Sequence, residues 1–184
     1  MTLKHFNELG RMKTHLFLFF YLFSISSVIH AQSEIFAIAR NGCAEDLQEV
    51  LKHHPEAINA RNSSGYSPLT LACYNGNLEV AAILAKQVEN ININSDSGTP
   101  LMAAVFKNDL KMTQMLLDLD ADPNIADPNK VTALHYAVQF IRNDLIRLLM
   151  SYGADISLKD NKGLSPWDYA IQQDNQSILT LLKN

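Results

Sequence analysis

A short motif recurs along this chain at a nearly constant interval, and that interval limits the fold more than any other feature. "SPLTLACYNG" starts at Ser67, "TPLMAAVFKN" at Thr99, "TALHYAVQFI" at Thr132 and "SPWDYAIQQD" at Ser165, in steps of 32, 33 and 33 residues. A second motif keeps the same beat. "LEVAAIL", "LKMTQMLL", "DLIRLLM" and "SILTLL" carry apolar residues at helical spacing, with Val80, Met112, Leu145 and Ile178 equivalent. Loops ending in "ENIN", "ADPN" and "ADIS" follow, placing Asn92, Asn124 and Ser157 in register. Upstream, "IFAIARNG" (35–42), "LQEVL" (47–51) and "AIN" (57–59) fit the frame more loosely. A period of this length is the mark of a repeat architecture, in which each unit is one small supersecondary piece.

The residues explain why each unit starts where it does. Ser67, Thr99, Thr132 and Ser165 are N-caps, whose hydroxyls can accept from the unpaired N–H groups of a first turn. Pro68, Pro100 and Pro166 occupy the first helical position, where the missing N–H removes no bond. Ala72, Ala104, Ala137 and Ala170 allow neighbouring first helices to approach closely. A single unit cannot bury both faces of its second helix, so stability must come from stacking. "NSSGYS" and "DNKGLS" supply glycines for a projecting turn.

The array resembles the ankyrin repeat, and the resemblance spans nearly all of the chain after its N-terminal segment. The family signature T-P-L-H-x-A stands here as "SPLTLA", "TPLMAA", "TALHYA" and "SPWDYA". It implies an all-α ankyrin-repeat solenoid of helix-turn-helix units with projecting β-turns. The units fall at about 33–65, 66–97, 98–130, 131–163 and 164–184. Departures from the pattern predict local differences. The loop Ile93–Gly98 is one residue short, so its turn should be altered. Val88 and Asp120 stand where Gly153 ends a helix; Asp tolerates the left-handed conformation moderately and Val does not. The first unit has Glu34 in place of the proline and the last is truncated, so both read as capping units with more polar outer faces.

The N-terminus differs in kind. "LFLFFYLFSISSVI" (Leu16–Ile29) follows Arg11, Lys13 and His15 and precedes "HAQS". It is shorter than the roughly 20 residues needed to span a bilayer, and its basic start and small residue at Ala31 describe a secretory signal peptide over residues 1–31. A buried helix and an uncleaved anchor are the other readings. Met12-Lys13 is itself a conventional start, so residues 1–11 could lie upstream of the true one. The first cysteine, Cys43, is too far from the apolar run for lipoprotein anchoring. Cleavage after Ala31 predicts a periplasmic or secreted, membrane-free domain, 32–184, with 12 basic against 18 acidic residues. In an oxidising compartment Cys43 and Cys73 could bridge adjacent units, or could pack as two separate small residues.

Catalytic and ligand chemistry finds no footing in the sequence. His135 coincides with the signature histidine, and its equivalents Thr70, Met102 and Asp168 could not share a catalytic role. The resemblance implies an imidazole that hydrogen-bonds backbone between adjacent turns. A calcium loop starting at Asp118, through Asp120 and Asp122, would need Gly at Pro123 and Glu at Asn129. His53 and His54 are adjacent on a helix end and point in different directions, although with loop carboxylates they define a metal or haem reading. No nucleophile elbow, zincin helix, phosphate loop or paired CxxC occurs, and no basic cluster suggests nucleic acid. The reading is a non-enzyme without cofactor or metal, monomeric, that binds a protein partner. Stress defence, toxin neutralisation and a secreted effector of host proteins are roles that fit it.

Ankyrin arrays bind through turn tips and the concave face of their first helices. By register, that face carries Tyr74-Asn75, Phe106-Lys107, Gln139-Phe140 and Gln172-Gln173, and the tips carry Ser63, Ser64, Tyr66, Asn129, Val131 and Leu164. Tyr74, Phe106 and Phe140 are expected to form an aromatic ridge one repeat apart, either as contact anchors or tucked against neighbouring helices.

Overall fold

The computed structural model describes residues 28–183, so most of the apolar N-terminal segment lies outside the described residues. The described residues run through ten helices and one short 3-10 turn. Residues 28–41 form α1, followed by α2 (Ala44–His53) and the 3-10 turn Pro55–Asn59. Then come α3 (Pro68–Asn75), α4 (Leu78–Gln87), α5 (Pro100–Phe106), α6 (Leu110–Asp118), α7 (Ala133–Gln139), α8 (Asn143–Ser151), α9 (Pro166–Gln172) and α10 (Gln176–Lys183). The odd-numbered helices from α3 to α9 stack in one layer, and the even-numbered helices from α2 to α10 in a second.

Burial follows the register. Ala72, Ala104, Ala137 and Ala170 have no exposed surface, and the helices of the first layer meet across them. Val80, Met112, Leu145 and Ile178 are buried in the second layer, joining one continuous core. Ser67, Thr99 and Ser165 cap α3, α5 and α9, each hydroxyl accepting from the N–H of the third helical residue at 3.0, 3.3 and 3.2 Å. Thr132 closes a capping box with His135 instead.

Between units the chain makes a repeated turn. Asn62, Asp127 and Asp160 each accept on Oδ1 from the N–H groups two and four residues on, closing five-residue turns at Tyr66, Val131 and Leu164. Gly65, Lys130 and Gly163 take the left-handed conformation there. The short loop differs as its length requires: Ser95 and Gly98 pair backbone to backbone at 3.2 and 3.0 Å, and Gly98 has φ +95°. The loop asparagines stitch each unit to the next, with Asn59, Asn92 and Asn124 accepting from the N–H groups of Glu89, Asp122 and Asp155.

The helix ends sort as residue chemistry demands. Gly153 and Asp120 are left-handed at φ 78° and 64°, whereas Val88 ends α4 in extended backbone at φ −64°, ψ 147°. The first unit begins before its approximate bound at residue 33: α1 runs unbroken through that position from residue 28, and Ala31 is only 3% exposed. Cys43 and Cys73 are free thiols, so the separate-packing reading holds in this structure.

Candidate functional site

The expected aromatic ridge is present, with one member more than its register suggested. Tyr74, at the end of α3, stacks on Phe106, at the end of α5, with ring centroids 6.2 Å apart. Phe106 meets Phe140, just beyond α7, edge-on at 5.6 Å. The three are 46, 45 and 43% exposed, so none is a core residue. Tyr136 completes the cluster, edge-on to Phe106 at 6.1 Å and stacked with Phe140 at 6.3 Å. Its signal was the pairing of Tyr136 with Ala103, its equivalent one unit earlier: a small residue on one helix leaves room for a ring from the next. Burial, and then the Asp127 carboxylate beside it, raise the Tyr136 hydroxyl pKa.

Tyr74, Phe106 and Tyr136 border a groove of ≈ 390 Å³ between the turn tips and the first-helix layer, with Phe140 packed behind Phe106. Tyr66 and Ser97 close its tip side, the tyrosine hydroxyl donating to Ser97 Oγ at 2.6 Å, and Leu71 and Met102 contribute to its walls. Lys107 sets its ammonium 4.8 Å above the Tyr74 ring, and no carboxylate among the described residues pairs with it. An apolar groove with an aromatic wall and one cation fits a side-chain anchor of a protein partner. Such groups contribute most of the binding energy in protein interfaces.

The other expected contact residues spread away from this centre. Asn75 is exposed, with its amide donating to Leu71 C=O at 2.7 Å. Ser63 and Ser64 are exposed on the first described tip. Asn129 is exposed, but its carbonyl accepts from Asn161 N–H at 2.9 Å, tying two tips together. Val131 is half-buried at the foot of its turn. Gln139 is half-buried and lends its carbonyl to Gln173 Nε2 at 3.4 Å, while Gln172 is exposed one unit further. The exposed rings therefore end at Phe140; in α9 the equivalent of Tyr136 is Tyr169, which packs edge-on to His135 and donates to Asp160, and the exposed end of the helix carries amides.

His135 is buried, and its geometry assigns its role. Nδ1 accepts from Thr132 N–H at 3.1 Å and lies 2.8 Å from the Thr132 hydroxyl. The proton therefore sits on Nε2, which donates to Leu164 C=O at 3.1 Å, in the next turn. Burial lowers the imidazole pKa, only partly opposed by the Leu164 carbonyl, so the ring stays neutral. In the last unit Asp168 does the same capping job, its Oδ2 accepting from Ser165 N–H at 2.9 Å. His53, at the end of α2, and His54, just beyond it, border one open depression with Glu34, Asp46 and Glu49 but pair with different carboxylates, His53 with Glu49 at 3.0 Å and His54 with Glu56 at 3.1 Å. No cluster of three or more metal-ligating side chains exists among the described residues.

One turn breaks the local rules of the array. Gly76, Asn108, Ile141 and Asp174 occupy the left-handed corner between paired helices, with φ of 73, 58, 54 and 50°. Three are residue types that accept this conformation. Ile141, β-branched, does so at a cost of about 1–2 kcal/mol. The next position holds Asn77, Asp109 and Asn175, each capping the second helix, but Arg142 in the fourth unit caps nothing. Its Nε is buried without a hydrogen-bond partner. A missing cap costs about 1 kcal/mol more.

Comparison with known proteins agrees with this architecture. Two family models for ankyrin repeats match, one over residues 35–127 and the other over 116–170. The chain belongs to the ankyrin-repeat family. It is 32% identical over 124 residues to an ankyrin repeat protein of fowlpox virus, covering 66% of this chain and 28% of that protein. It is 35% identical over 124 residues to an ankyrin repeat-containing protein of Treponema pallidum, covering 66% of this chain and 42% of that one. A Dictyostelium discoideum protein described as a probable serine/threonine-protein kinase is 27% identical over 197 residues, which is 23% of its length. The chain thus spans less than half of each of these relatives. Repeats of this family act as protein–protein interaction scaffolds and are generally non-enzymatic. No described helix is long and apolar enough to cross a membrane.

Proposed function

We propose that this chain is an exported, monomeric ankyrin-repeat scaffold, without enzymatic activity, that grips one protein partner in the groove beside Tyr74, Phe106, Tyr136 and Phe140. The observation that carries this reading is the cluster of rings left partly exposed around an apolar groove. Burying a large apolar side chain there would contribute about 1.5–3 kcal/mol. The turn tips at Ser63, Ser64, Asn129 and Val131 extend the contact. A role in envelope stress defence or toxin neutralisation fits a small binding domain of this kind.

Export rests on the basic flank and apolar run ending at Ile29. Ala31 is buried within α1, so cleavage after it would have to precede packing of the first unit. Intact mass of the purified protein should give a mature N-terminus at or near Gln32, and a full-length cytosolic chain would overturn export. For the groove, the double variant Tyr74→Ala/Phe106→Ala should lose partner capture from the extracytoplasmic fraction while its thermal midpoint falls little. Unimpaired capture with a markedly lower midpoint would assign the rings to folding and move the binding face elsewhere.

A further inference from the structure

We infer that the partner-contact surface continues from the groove onto the corner Phe140–Ile141–Arg142, and that the partner's contacting segment is acidic and apolar, presenting a carboxylate beside a large aliphatic or aromatic side chain. This rests on the groove reading above and adds to it where the partner docks and what it looks like.

The corner is the ground for the first part. Three equivalent corners combine a residue tolerant of positive φ with a capping Asn or Asp. The fourth has neither, although one substitution at each of Ile141 and Arg142 would relieve its fault. What the corner displays instead is apolar surface: Ile141 is 53% exposed, and the adjacent Phe140 packs against Phe106 in the groove wall. A conformation that costs stability, held at the edge of a cleft, is where strain accompanies function. Solvent gives Ile141 nothing in return for its backbone strain; a partner's apolar side chain would.

Charge supplies the second part. The chain carries a formal net charge of −4, yet the Lys107 ammonium stands over the Tyr74 ring in this region. The Lys107 ammonium lies over an aromatic ring with no carboxylate neighbour among the described residues. A cation held beside an apolar groove and left without a counter-ion selects an anionic group on whatever fills the groove. An aromatic-lined cleft with a fixed ammonium disfavours a basic segment by the same argument.

The test uses random dodecapeptides displayed on phage, selected on the immobilised purified protein. The strongest binder is then synthesised and titrated by fluorescence anisotropy. Enriched peptides should pair Asp or Glu with Leu, Ile, Phe or Trp. Ile141→Asn should weaken the peptide at least tenfold while raising the thermal midpoint by about 2–6 °C, because αL strain is relieved. Lys107→Glu should also weaken it at least tenfold and should enrich basic peptides when selection is repeated. Binders lacking a carboxylate overturn the inference, as does an Ile141→Asn variant that melts no higher than the parent. Peptides that lose affinity with Tyr74→Ala/Phe106→Ala but keep it with Ile141→Asn and Lys107→Glu leave the groove standing and reject the corner. Peptides indifferent to all of these variants, or no enrichment at all, reject both.

Discussion

His135→Ala should destabilise the junction between the last two units, and the size of the effect can be worked from its contacts. The substitution removes the acceptor of Thr132 N–H, the neighbour of the Thr132 hydroxyl and the donor to Leu164 C=O. Thr132 is itself buried, so its N–H loses its partner without gaining water. An unsatisfied buried group costs about 1–3 kcal/mol, and the cavity left by the ring adds to it, for a total of roughly 2–4 kcal/mol. In a chain of this length each kcal/mol shifts the midpoint by about 2–4 °C, so a fall of roughly 4–16 °C is expected.

The pH dependence gives a second readout. The folded imidazole has a lowered pKa, so below its ordinary value, near 6.5, the unfolded chain binds the proton first. Stability contributed by neutral His135 is present above that pH and is lost as pH falls towards the folded pKa. The slope there reaches at most about 1.4 kcal/mol per pH unit. Urea titrations between pH 5 and 8 should therefore show the variant's deficit shrinking as pH falls. Hydrogen exchange should localise the loosening to α9 and α10. A variant that unfolds at the parental midpoint, with partner binding abolished, would refute the architectural assignment.

Three further outcomes follow from single positions. Gly98→Ala should lose about 1–3 kcal/mol in urea denaturation, because Gly98 sits at φ +95° and a Cβ there would come within 2.4 Å of the buried Met102 Sδ; an unchanged midpoint would refute this. Asp120→Gly should gain about 0.5–1 kcal/mol by relieving the left-handed conformation at φ 64°; a loss would mean that the carboxylate makes a stabilising contact. A maleimide should label half-exposed Cys43 in the native protein and Cys73 only in denaturant, since burial and then the Asp109 charge push the Cys73 thiol pKa far up. Two unreactive thiols that respond to reductant would instead reveal a disulfide.

What could be read from sequence was whatever each unit decides locally and repeats. N-caps, first-position prolines and stacking alanines depend on a few neighbouring residues, and periodicity checks each one against its equivalents. The same reasoning separated Val88 from Asp120, because steric limits at Cβ do not depend on tertiary context. It failed where packing overrules local preference. The first unit, placed from about residue 33, starts earlier, because apolar contacts carry α1 through that position from residue 28. Tyr136 went unnoticed because its place in the aromatic cluster depends on Ala103 in another unit. Ile141 gave no warning, since nothing about isoleucine suggests a left-handed corner; only its alignment with Gly76 and Asn108 does so.

The stitching of each loop to the next also bears on how such a chain is made. Among the described residues, every side-chain hydrogen bond between units joins residues no more than 39 positions apart, the longest running from Asn77 to Ile38 C=O. No described hydrogen bond joins the first unit to the last. A chain emerging from a narrow passage, N-terminus first, can therefore complete each layer as soon as the following unit is clear, without waiting for its far end.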